Sequence, residues 1–142
     1  MQRKIYINIL IVFIIFLITS ESHKMYFIEN AKFLDWDDAN KACKAKGMDL
    51  LTIENKEELD YLKQYINETY GRLFPYWLGA YRTNGQFFWT ATGEKIKEFF
   101  WHKGQPDDKS GHENCIHTWE GYFDWNDNDC ERELPFICDL NV

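Results

Sequence analysis

An α+β fold is predicted for this chain from three observations. Two capped amphipathic helical stretches occupy its first half, short β-prone runs separated by turns fill its second half, and no repeat or linker divides it. Its 142 residues suit one domain with one core.

The N-terminus reads as a processing signal. Arg3 and Lys4 precede an apolar run from Ile5 to Ile18, broken only by Tyr6 and Asn8, and small polar residues follow at Thr19, Ser20 and Ser22. A run of 14 residues is short of the roughly 20 that span a bilayer, which favours a cleaved secretory signal over an uncleaved anchor, the alternative. The expected division is a signal peptide at 1–22, cut after Ser20 or Ser22, and one secreted, extracellular domain at 23–142. Removing Arg3, Lys4 and Glu21 leaves 14 basic and 22 acidic side chains, a net charge of −8. Nucleic acid and anionic membrane are poor partners for such a surface.

Tyr26 to Ile28 is a short strand candidate. Asp35 offers an N-cap with Asp38 three residues on, and Trp36, Ala39, Ala42 and Cys43 make an apolar stripe that Gly47 ends, predicting a helix over 36–46. Asn55 caps the second helix with Glu58 at the capping-box position; Leu59, Leu62 and Ile66 share a face, and Gly71 ends it. Strands are then expected at 77–80 (WLGA), 86–89 (QFFW), 98–101 (EFFW), 115–119 (CIHTW) and 134–138 (LPFIC). Six Trp, eight Tyr and eleven Phe fit either a tightly packed β-rich core or a sugar-facing surface.

Cys43, Cys115, Cys130 and Cys138 are an even number in a secreted context and read as two disulfides, with three pairings open. A structural zinc site is weak, since no Cys-x-x-Cys spacing exists.

The long irregular region from Lys103 to Asn114 interrupts the strands. It gathers Gln105, Asp107, Asp108, Glu113 and Asn114, and carboxylates crowded in a loop repel one another unless a cation sits among them. A second acidic cluster runs from Asp124 to Cys130. Asp124, Asn126 and Asn128 match the opening of an EF-hand loop, but Asp129 stands at the glycine position and Pro135 at the closing glutamate, so that reading fails. His102, His112 and His117 lack the spacing of a catalytic zinc site and take surface or packing roles; no nucleophile motif is present, and no enzyme activity is expected. Asn67-Glu68-Thr69 is a possible glycosylation sequon.

Helix one with its cysteine, Trp77-Leu78-Gly79, Gln105-Pro106-Asp107, Glu113 eight residues after Gln105, the Trp125-Asn126-Asp127 triplet and the four cysteines together resemble a C-type lectin-like domain over residues 25 to 140. The resemblance implies two helices packed on two small antiparallel sheets with a long calcium-binding loop. It also implies disulfides Cys43–Cys138 and Cys115–Cys130, a cis bond before Pro106, and Ca2+ held by Gln105, Asp107, Glu113, Asn126 and Asp127. Those five side chains would also contact the sugar, whose hydroxyls need an amide donor on one side and an acid acceptor on the other. Gln-Pro-Asp is the order in galactose-binding members, so a calcium-dependent lectin for terminal galactose or N-acetylgalactosamine on microbial or host glycans is expected. Galactose-binding members commonly carry a stacking Trp where this chain has Lys109; Trp119 or Tyr122 is the available substitute, with packing the plainer role for both. The family's auxiliary calcium site is expected to be absent or weak: Asp108, Glu113 and Asn114 fit its loop half, while the turn after WLGA offers Arg82 and Asn84 instead of acids. The alternative function is a protein-binding module in which calcium is structural or absent. No separate segment for oligomerisation is expected.

Overall fold

In the computed structural model, which describes residues 24–141, the chain runs β1 (Lys24–Leu34), α1 (Trp36–Lys44), β2 (Asp49–Leu50), α2 (Lys56–Tyr70), β3 (Trp77–Thr83), β4 (Gln86–Trp89), β5 (Cys115–Thr118), β6 (Trp125–Asn128) and β7 (Leu134–Asn141). The expected signal segment lies outside the described residues. Among the described residues no helix is long and apolar enough to cross a membrane.

Both helices start where their caps predict. The Asp35 carboxylate accepts the Asp38 N–H at 2.8 Å, and Asn55 Oδ1 accepts the Glu58 N–H at 2.9 Å, each satisfying a donor that helix geometry leaves free. Gly71 closes α2 in the left-handed conformation at φ 67, with its N–H on the Asn67 carbonyl at 2.9 Å. Glu58 departs from a capping box: Oε2 takes the Glu54 N–H, while Oε1 takes Lys24 Nζ at 2.8 Å and the Tyr26 hydroxyl at 2.9 Å. Burial opposes the Lys24 charge, but the hydrogen bond to Glu58 and the charges of Glu58, Asp139 and Glu54 outweigh it and raise its pKa. The start of β1 is thereby fastened to α2.

The strands form one connected sheet in the order β1-β7-β3-β5-β6, with β2 also on β7 and β4 on β3. Two antiparallel groups, β1-β7-β2 and β4-β3-β5-β6, meet through a single parallel pairing, Trp77 with Phe136. One core region lies under α2, where Leu59, Leu62 and Ile66 meet Leu51, Tyr76, Leu78 and Trp125. The other gathers Trp36, Trp77, Leu134 and Phe136 around Cys43 and Cys138, whose disulfide joins α1 to β7. The second disulfide, Cys115–Cys130, spans 15 residues from β5 to the turn after β6.

Local propensity misplaced two strands. Residues 98–101 are not a strand; only Trp101 makes a bridge, to Trp125, while Phe99, Phe100 and Trp101 set their rings around the Trp125 indole. Aromatic content that reads as β propensity serves side-chain packing there. The reverse holds for β6, whose Asn126, Asp127 and Asn128 have low β propensity; pairing with β5 makes the strand. β1 likewise extends far beyond residues 26–28 because β7 supplies its partner.

Gly79 is where β3 crosses the backbone of β2. Its N–H donates to the Leu51 carbonyl at 2.8 Å, and a Cβ on Gly79 would stand 2.3 Å from the Leu50 carbonyl oxygen. Backbone on backbone cannot yield by a rotamer change. Gly79→Ala is therefore expected to destabilise the domain by about 3 kcal/mol, the upper end for overpacking, in urea unfolding, whereas an ordinary change of a few tenths would mean β2 moves freely.

Candidate metal site

The loop between Trp101 and Cys115 has no strand pairing beyond the bridge at Trp101, and it holds its shape through acidic side chains. The Gln105–Pro106 bond is cis. Asp127, on β6 with its side chain at 0% exposure, is the anchor: Oδ1 accepts the Asp107 N–H and Oδ2 the Asp108 N–H, both at 3.1 Å, and Oδ2 also takes Arg82 Nη2 at 2.7 Å. Asp108 extends the lattice, with Oδ1 on the Glu113 N–H at 2.9 Å and Oδ2 at 3.0 Å from Arg82 Nη1. Asp107, Glu113 and Asp127 consequently each offer a carboxylate oxygen within 4.8 Å of the others.

Three converging carboxylates are electrostatically unfavourable without a cation. The Glu113 pKa is raised, first by burial and then by the Asp127 charge, with Asp107 adding to it; the Lys109 N–H, donating to Glu113 Oε2 at 3.2 Å, opposes the shift.

The two amides expected as ligands are notable for what they leave unpaired. His117 Nδ1 lies 2.7 Å from the Thr118 carbonyl, so it carries the proton and donates; Nε2 is then the acceptor for Asn126 Nδ2 at 3.0 Å and Asn128 Nδ2 at 2.9 Å. Burial pulls the His117 pKa down to about 4 against the Thr118 bond, with nearby Arg132 adding to the fall, which keeps Nε2 free of a proton at neutral pH. With its NH2 committed to His117, Asn126 presents Oδ1 elsewhere. That oxygen and Gln105 Oε1 are buried and accept no hydrogen bond among the described residues, although buried carbonyl oxygens normally do. Both stand on the two segments that supply the carboxylates. Five oxygen donors, three anionic and two neutral, suit a hard cation such as Ca2+ and not the nitrogen and sulfur sites of zinc.

The auxiliary half-site is arranged differently. Asp108 is engaged by Arg82 and the Glu113 N–H, the Asn114 carbonyl accepts the Arg82 N–H at 2.7 Å, and Asn84 sits in the β3–β4 turn at φ 51. Lys109 is exposed. Trp119 lays one face on the His102 ring, centroids 4.4 Å apart, and Tyr122 is 56% exposed beside them. His112 pairs with Asp129 at 2.9 Å. Trp77 and Trp125 are core residues, and Asn67 is on the exposed side of α2. Two residues that contact the expected ligands escaped the sequence reading: His117, taken for packing, and Arg82, seen only as a missing acid. The β5–β6 register, which sets His117 opposite Asn126, was the signal needed for the first.

Comparison with known proteins gives a consistent result. The sequence profile described as Lectin C-type domain matches residues 32–140. C-type lectin 37Db of Drosophila melanogaster is 34% identical over 122 residues, covering 83% of this chain and 78% of that protein. Lectin subunit alpha of Sarcophaga peregrina is 30% identical over 125 residues, covering 82% of this chain but only 44% of that protein, so this chain corresponds to less than half of it. Among solved structures, the cow C-type carbohydrate-recognition domain of CD23, determined in the presence of a GlcNAc2Man3 oligosaccharide, superposes with a TM-score of 0.71 at 28% identity, covering 84% of this chain and 88% of that one.

The buried imidazole makes a pH prediction. An unfolded chain protonates His117 near its ordinary value of 6.5, whereas the folded protein resists until about 4. Its contribution to stability is thus complete above pH 6.5, is lost as pH falls from there toward 4, and totals about 3 kcal/mol at most. An NMR titration of the His117 ring is expected to show a midpoint near 4; a midpoint near 6.5 would mean the ring does not hold the Asn126 amide as a neutral acceptor.

Proposed function

The chain belongs to the C-type lectin domain family, a family of carbohydrate-binding domains rather than enzymes, and on that premise we propose that it is an extracellular lectin whose sugar binding depends on Ca2+. The observation that carries the calcium reading is the pair of unpartnered buried acceptors, Gln105 Oε1 and Asn126 Oδ1, on the same segments as the three converging carboxylates. Gln105, Asp107, Glu113, Asn126 and Asp127 would hold the ion. Calcium, when bound, supplies a positive centre with coordination left for two neighbouring hydroxyls.

The protein's own part is to orient those hydroxyls. Each needs an acceptor for its hydrogen and a donor for its remaining lone pair, and the site alternates acids with amides. Gln105 is free to donate through its Nε2, while Asp107 and Glu113 accept. Asn126 differs, because its NH2 is shared with His117, which fixes the direction of its oxygen. With Gln105 before Pro106 and Asp107 after it, the donor precedes the acceptor, the order that supports galactose or N-acetylgalactosamine as the terminal sugar. No aromatic residue directly follows the motif: Lys109 is exposed, and Trp119 has one face on His102. The polar contacts therefore carry the preference.

Two measurements check this reading. Calcium at 100 times its Kd is expected to add about 2.7 kcal/mol to unfolding stability, and glycan binding is expected to vanish in chelator; identical melts with no glycan bound in either condition would remove the metal and leave the protein-binding alternative. Exchanging Gln105→Glu together with Asp107→Asn preserves charge and oxygen count but reverses donor and acceptor. Competition by free sugars is expected to shift from galactose toward mannose, each mismatched hydroxyl costing about 1 to 3 kcal/mol. An unchanged sugar ranking with calcium still bound would show that these two side chains do not read the sugar.

A further inference from the structure

Arg82 is the one cation in contact with the acidic lattice of the loop among the described residues. Its two guanidinium nitrogens reach carboxylates from different segments, Nη2 to Asp127 Oδ2 at 2.7 Å on β6 and Nη1 to Asp108 Oδ2 at 3.0 Å in the loop. The side chain is 16% exposed and lies over the Phe87 ring, 4.6 Å from its centroid, and its backbone N–H is tied to Asn114, the residue that ends the loop. A fork held on three sides cannot be compared with a loose surface ion pair. The carboxylates it joins are the same ones that accept the Asp107, Asp108 and Glu113 N–H groups. Without Arg82, Asp127 would keep a fully buried negative charge against Asp107 and Glu113.

We infer that Arg82 is a positioning residue that acts as a fixed counter-cation, holding the loop in its binding geometry before a metal arrives and occupying the place of a second ion. The inference rests on the calcium reading for what the loop finally binds, but the loop's order in metal-free protein is its own consequence. Asp108 is consumed by this role: both its oxygens are committed, one to Arg82 and one to the Glu113 N–H. The domain then takes one calcium ion per chain, and the loop survives chelation.

The test is hydrogen exchange on the full domain in excess chelator. In the wild type the Asp107, Asp108 and Glu113 amides are expected to be protected. Arg82→Met is expected to lower their protection at least tenfold while Leu51 and Ile116 in the core keep theirs; Arg82→Lys, a single cation without the fork, is expected to recover part of it. Unchanged loop protection in Arg82→Met would overturn the inference. If Arg82→Met does not fold, Arg82→Lys alone decides, since a lysine that restores wild-type protection in full would show that the bridging fork is not needed. Calorimetric titration of the wild type with calcium is expected to give one site, and two would overturn the second-ion assignment. If calcium fails to bind at all, the proposed function falls, while the exchange result in chelator still judges Arg82.

Discussion

The arrangement of this domain's functional end depends on one buried carboxylate. Asp127 stands on β6 with its side chain removed from solvent, and three donors from outside its own strand converge on it: two loop N–H groups and the Arg82 guanidinium. A buried carboxylate is tolerable only when it is so surrounded. The consequence runs in both directions, because the loop has no ladder of its own and takes its shape from the charge it surrounds. An acidic residue that sequence analysis treats as a ligand is thus also the structural centre of the loop.

That centre is held in place by the sheet. β6 has little β propensity, and it is a strand because β5 pairs with it and because Cys115–Cys130 ties the two ends of the unit. The same register places His117 opposite Asn126, and the proton location on His117 decides which end of the Asn126 amide faces away. A neutral imidazole, a backbone carbonyl and a strand register together set the direction of one oxygen. Farther back, the close crossing of Gly79 over Leu50 and the Trp77–Phe136 pairing fix β3, and with it Arg82, relative to the loop.

Arg82 compensates only part of the negative charge gathered in this loop. It meets Asp108 and Asp127, while among the described residues Asp107 and Glu113 have no such partner; burial first, and the Asp127 charge second, raise the Glu113 pKa. The orphan amide oxygens stand one on the loop and one on β6.

The sequence by itself determined what depends on local chemistry. Capping and periodicity placed both helices within a residue or two at their starts, because Asp35 and Asn55 satisfy donors only a few residues away. Residue type also marked the two oxygen-rich segments, 104–115 and 124–130, since ligand chemistry is carried by the side chain itself; the resemblance, not the spacing, named the five expected oxygen donors within them and supplied the disulfide partners. Tertiary structure decided whatever depends on a distant partner. It made β6 a strand, turned 98–101 into aromatic packing around Trp125, drew Glu58 from its cap to Lys24 and Tyr26, and changed Arg82 from a missing acid into a bridge between carboxylates 26 and 45 positions away. His117 changed from a packing residue to the acceptor that orients Asn126 for the same reason. Hydrogen bonds and Coulomb forces act over a few ångströms in space, and only the folded chain sets which residues lie within that range.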